Sequence, residues 1–85
     1  MFLIKKDLII EKINDELVIF DADLSTIYYL NSSASIIFNL IRRKKNFDKI
    51  VASFVNIYNI PKTKAEHDIK KAIQLMLNKK IILRK

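Results

Sequence analysis

The stretch Ser25-Thr26-Ile27-Tyr28-Tyr29-Leu30-Asn31 decides how this chain is read, because the periodicity of the sequence changes at its end. Thr, Ile and paired Tyr side chains suit a pleated, half-buried surface, so Ser25 to Leu30 reads as a strand. Asn31-Ser32-Ser33 then offers side-chain oxygens to the orphan amides of a helix start, and Ala34, Ile37, Phe38 and Ile41 follow at helical spacing. Helix one is expected from about Ser32 to Arg43. A β half therefore hands over to an α half at Asn31.

Upstream, Leu8-Ile9-Ile10-Glu11-Lys12-Ile13 and Glu16-Leu17-Val18-Ile19-Phe20 are β-branched and aromatic runs. Asn14-Asp15 separates them and tolerates the left-handed backbone of a tight hairpin. A second turn, Asp21-Ala22-Asp23-Leu24, leads into Ser25, giving a three-stranded meander. The last strand keeps one edge open unless Leu8 to Ile13 returns to cover it, and it carries no Lys or Pro to blunt that edge.

Downstream, Arg42-Arg43-Lys44-Lys45 places cations where the dipole of helix one favours them. Asn46 is positioned to cap a second helix whose Phe47, Ile50, Val51, Phe54 and Val55 keep i, i+3, i+4 order. Pro61 breaks the chain, and Thr63-Lys64-Ala65-Glu66 reads as a capping box for a third helix with Ile69, Ala72, Ile73, Met76 and Leu77 inward. Ile81-Ile82-Leu83 closes the chain as a short strand or a packed tail. The expected fold class is α+β, a winged helix-turn-helix in which a three-stranded antiparallel sheet precedes a three-helix bundle. One domain, 1–85, is expected, since 85 residues lie below the usual domain size of roughly 100 to 150.

Composition narrows the chemistry. At 51% hydrophobic and 29% charged residues, the chain is too apolar for a disordered tail. It has no cysteine and a single histidine, His67, which removes disulfides, thiolate nucleophiles and a Cys/His zinc site. Glycine is absent, so phosphate-cradling glycine loops are excluded and turns must use Asn, Asp and Lys. His67 lies in the first part of a helix between Glu66 and Asp68, a poor setting for a triad base. The Asp21/Asp23 pair reads as turn chemistry and Glu66/Asp68 as helix N-terminal acids, so no catalytic residue, metal or cofactor is expected. The apolar Met1 to Ile4 is followed at once by Lys5, Lys6 and Asp7, far short of the roughly 20 apolar residues of a membrane span, so a cytoplasmic chain with no membrane partner is expected.

Charge is unevenly placed: residues 1–41 hold three basic and six acidic groups, residues 42–85 thirteen basic and three acidic. The basic half suits an acidic peptide, a nucleic acid or an anionic surface. A winged-helix DNA-binding regulator would use helix two or helix three as its recognition helix. Between Phe47 and Tyr58, however, the polar positions are Asp48, Lys49, Ser53 and Asn56, with no Arg to read guanine, which disfavours nucleic acid. Two other readings stay open on the residues alone. One is peptide capture by strand addition to the last strand of the meander. The other is a structural homodimer paired through that same edge.

The run from Leu17 to Ile41, with Leu30-Asn31 entering a helix through Ser32-Ser33-Ala34, resembles the PqqD-like family, the RiPP recognition elements. Tyr58-Asn59-Ile60-Pro61, Asp68-Ile69 and the closing Ile81-Ile82-Leu83 extend the resemblance over about residues 8–83. It implies a non-catalytic domain that binds the leader segment of a ribosomally made precursor peptide and presents it to a separate tailoring enzyme, such as a radical SAM protein, a cyclase or a leader peptidase. It also implies that the leader adds as a strand to Thr26, Ile27, Tyr28, Tyr29 and Leu30 and lies against the third helix. Strand alternation then puts Leu30, Tyr28 and Thr26 on the core face and Ile27 and Tyr29 on the other. On helix three, Lys64, Asp68, Lys71, Ala72 and Leu75 flank the core stripe, with Leu75 as an apolar anchor and Lys64 and Lys71 as partners for leader carboxylates. The chain departs from the family at two turns: members commonly carry Asp-Gly after helix one and Gly before the final strand, where this chain has Lys44-Lys45 and Lys80.

Overall fold

A computed structural model describes residues 2–85. Its elements run β1 (Phe2–Ile4), β2 (Leu8–Ile13), β3 (Glu16–Asp21), β4 (Thr26–Leu30), α1 (Ser32–Arg42), α2 (Phe47–Tyr58), α3 (Lys62–Asn78) and β5 (Ile82–Arg84). The meander forms in the order β2-β3-β4, all antiparallel. Ile13 pairs with Glu16 across the two-residue loop, and Asn14 at φ 56° supplies the left-handed residue that such a loop needs. The architecture is α+β, with the winged helix-turn-helix order of sheet and three helices.

Register sorts the strands into two faces. Leu17, Ile19 and Leu30 point inward and are buried, while Val18, Phe20, Ile27 and Tyr29 take the alternate positions. The inward face packs on α1 and shares one core with Ile37, Phe38 and Ile41 of α1, Ile50, Val51 and Phe54 of α2, and Ile69, Ile73 and Met76 of α3. Ser35 is buried among them and bridges the paired Leu17 and Leu30 of β3 and β4: its Oγ donates to the Leu30 carbonyl (3.1 Å) and accepts from the Leu17 amide (3.0 Å). One hydroxyl thus fixes α1 against β3 and β4.

Two features depart from the sequence expectation. Phe2–Ile4 forms a strand that pairs antiparallel with Ile82–Arg84, so the closing segment is a strand within a second, two-stranded sheet. Lys5 joins the two sheets: its amide donates to the Ile81 carbonyl (3.0 Å), and its Nζ donates to Oδ2 of the buried Asp21 (2.6 Å). The other departure concerns α3, which starts at Lys62 with Pro61 as N-cap, so Thr63 lies inside the helix and forms no capping box with Glu66. The extended Pro61 (ψ 149°) already ends the preceding loop, and its carbonyl accepts from the Ala65 amide (3.0 Å), closing the first turn. The other two caps match expectation, with Asn31 Oδ1 accepting from the Ala34 amide and Asn46 Oδ1 from the Lys49 amide, both at 2.9 Å.

The two turns at Lys44-Lys45 and Lys80 adopt a left-handed backbone without glycine. Lys45 and Lys44 donate back to the Leu40 and Ile41 carbonyls, and Ile81 and Lys80 donate back to those of Met76 and Leu77. Each is a Schellman motif with a lysine at its left-handed position, Lys44 at φ 61° and Lys80 at φ 60°.

Candidate functional site

β4 pairs on one side only, with β3, and among the described residues no strand covers its other edge. Alternate residues along that edge therefore present backbone N–H and C=O groups without a ladder partner. Facing the edge is α3, and between them runs a groove of about 290 Å³. Leu30, Asn31, Ser33 and Ala34 form the wall at the β4–α1 junction. Asp68, Lys71, Ala72, Leu75 and Lys79 form the α3 wall, with Met76 contributing to the floor and Tyr29 to the rim.

Small residues make the space. Ser33, Ala34 and Ala72 leave room where larger side chains would bring helix and strand into contact. The separation is held at the far end of α3, where the Tyr28 hydroxyl donates to the Lys79 carbonyl (3.2 Å) and the Lys79 ammonium sits 5.4 Å from the Tyr28 ring centre. Leu75 is 53% exposed and Tyr29 75%, so an apolar side chain stands ready on each side of the groove. Lys71 and Lys79 set positive charge along the α3 wall. Asp68 is held by Lys64 at 3.2 Å, one helical turn away, which offsets its own charge.

Of the residues expected at a site, the groove lining brings together Tyr29, Leu30, Asp68, Lys71, Ala72 and Leu75. Lys64 lies beyond it, lining an adjoining cavity of about 260 Å³ with Phe54, Tyr58 and Ile60 that shares Ser33, Asp68 and Ala72 with the groove. Thr26, Ile27 and Tyr28 are outside the lining, and Thr26 donates its hydroxyl to the Leu24 carbonyl (2.8 Å). Asn31, Ser33, Ala34, Met76 and Lys79 line the groove without having been read as site residues. The signal for Lys79 was present: it continues the spacing of Lys71 and Leu75 by one more turn.

The family profile described as coenzyme PQQ synthesis protein D (PqqD) matches residues 16–82. The chain belongs to the PqqD family. Among solved structures, this PqqD-family chain is similar to TbiB1 in complex with the TbiA(beta) leader peptide, with a TM-score of 0.89 and 22% identity over 96% of this chain and 95% of that one. It is equally similar in fold to lasso peptide synthetase B1 complexed with the leader peptide, with a TM-score of 0.89 and 17% identity over 98% of each chain. No curated protein matches the chain. No helix among the described residues is long and apolar enough to cross a membrane.

Proposed function

We propose that this PqqD-family chain binds the leader segment of a ribosomally synthesised precursor peptide by strand addition to Thr26–Leu30, holding it in the groove against α3. The observation that carries the reading is the coincidence of an unpaired strand edge and an adjacent groove with an apolar and basic helix wall. Strand addition draws affinity from main-chain hydrogen bonds and specificity from pockets for alternate side chains, and both elements lie side by side here. Family membership and the two matched structures, each holding a leader peptide, support the same reading.

Within this frame Leu75 and Tyr29 contribute apolar contact, and Lys71 and Lys79 face carboxylates of the leader. Lys64 acts through Asp68. Exposed ion pairs of this kind are worth only about 0–1 kcal/mol each, so the lysines set register and encounter rate more than affinity. The 85 residues act as one non-catalytic cytoplasmic domain, raising the effective concentration of the precursor at a separate tailoring enzyme.

The test is a titration of a fluorescently labelled synthetic leader, from the precursor encoded beside the chain's gene, followed by polarisation. Wild type binds at about micromolar Kd or tighter, and Tyr29→Asp and Leu75→Asp each weaken binding by roughly ten-fold or more. Unchanged binding by both variants, with native circular dichroism, would overturn the site assignment. A duplex retarded with steep salt dependence would instead support the DNA-binding regulator.

A further inference from the structure

The groove uses the edge of the meander and leaves its outward face unexplained. Register places Ile9, Phe20 and Ile27 in one row across β2, β3 and β4, and Glu11, Val18 and Tyr29 in the next. Ile13 opposite Glu16 ends the face. Ile9 is 54% exposed, Ile13 57% and Ile27 50%, on the side of the sheet away from the helical core. Single exposed apolar residues need no explanation, but side chains that are contiguous across three strands form a patch of the kind that marks an interaction surface.

The charges on this face specify what it fits. Glu11 and Glu16 stand on it and Asp15 in the adjoining turn, whereas Lys12 alternates to the other side. The patch is thus edged by carboxylates in a chain of net charge +7. A second copy packed on it about a two-fold axis would bring these carboxylates toward their own counterparts, which disfavours self-pairing. An anionic membrane would be repelled for the same reason. The fitting partner is a protein surface with an apolar centre and a basic rim.

We propose that this face docks the enzyme that modifies the bound peptide, an inference that rests on the leader-binding reading above. Ile27 and Tyr29 belong to β4, the strand whose free edge receives the peptide. An added strand would widen the same face by about 4.8 Å and set its own alternate side chains beside Ile27 and Tyr29. The docked enzyme then contacts a surface that is complete only when the peptide is present, so recruitment and substrate loading are coupled.

The test uses β2, the strand furthest from the peptide edge. Ile9→Thr/Ile13→Thr keeps β-branched side chains and removes apolar contact, while Glu11→Lys/Glu16→Lys reverses the rim. Each double variant is titrated with the labelled leader, and then, leader-saturated, with the purified modifying enzyme encoded beside the chain's gene. Leader affinity stays within about two-fold of wild type, because these sites are remote from the groove. Enzyme affinity falls by roughly ten-fold or more in both variants. Equal enzyme affinity for wild type and both variants, with leader binding intact, overturns the docking surface alone. A wild-type dimer in sedimentation that Ile9→Thr/Ile13→Thr dissociates also overturns it, by giving the face to a second copy. Failure of the wild-type chain to bind leader removes the underlying reading and the proposal with it.

Discussion

At the scale of single residues, two buried polar groups do what the apolar core cannot, which is to fix one element against another at a unique position. Ser35 satisfies the Leu17 amide and the Leu30 carbonyl at once. Ser35→Ala leaves both without that partner at a buried site, so a loss of about 1–3 kcal/mol is expected in urea unfolding. Asp21 is the second. The hydrogen bond from Lys5 holds its carboxyl below the ordinary 3.8, helped by the Leu24 amide and opposed by burial. The same hydrogen bond raises Lys5 above 10.5, again against desolvation. A depressed carboxylate contributes stability that is fully present above its unfolded pKa and is lost as pH falls through the lower folded value. The Lys5 contribution is present below 10.5 and is lost as pH rises through its raised folded value. Asp21→Asn is therefore expected to lower the urea midpoint at neutral pH, and its deficit relative to wild type shrinks as pH drops below 3.8. A deficit independent of pH in that range would show that the ion pair is not its source. Neither residue was legible as structural from sequence: Ser35 is one small residue among several at a helix start, and Asp21 was read only as turn chemistry. Their roles depend on partners that folding brings from eighteen and sixteen positions away.

At the scale of elements, the helix ends carry the most specific consequence. Among the described residues, Asp7, Asn14, Ser25, Lys44, Asn59 and Lys80 all adopt positive φ without a glycine. For Lys44 and Lys80 the Cβ contact with the backbone costs about 1–2 kcal/mol relative to glycine, partly offset because glycine has more freedom to lose on folding. Lys44→Gly and Lys80→Gly are each expected to raise stability by about 0.5–1 kcal/mol, with Lys→Ala at the same positions giving no such gain; thermal unfolding resolves the difference. Most of the elements were readable because their signals are local. Strand alternation sorted Thr26 to Leu30 correctly, and the Asn31 and Asn46 caps lie where the helical spacing begins. The exceptions are equally physical. The capping box fails at α3 because a Thr-x-x-Glu pattern looks the same whether it caps a helix or sits within its first turn, where Thr63 lies. The β1 strand carried no local turn signal, its partner β5 being at the other end of the chain.

At the scale of the whole molecule, the uneven charge separates two surfaces. The basic half supplies the α3 wall of the groove, with Lys71 and Lys79, while the outward sheet face keeps Glu11 and Glu16. Part of the positive charge is also structural, since Arg42, Lys70, Lys79 and Arg84 each cover an aromatic ring of the fold at 5.4–5.8 Å. The groove itself was half legible: the α3 flank follows from helical spacing, but its depth comes from Ser33, Ala34 and Ala72, whose smallness has meaning only once strand and helix are brought together. The pairing of β1 with β5 has a mechanical side as well. Phe2 lies opposite Arg84, so the two chain ends leave from the same end of a three-residue ladder. Tension applied between them loads the hydrogen bonds one after another rather than together, and the ladder opens as a zipper at low force. That ladder gives way ahead of the longer β2-β3-β4 meander, and the load then passes through Ile81 to Lys79 and the α3 wall of the groove.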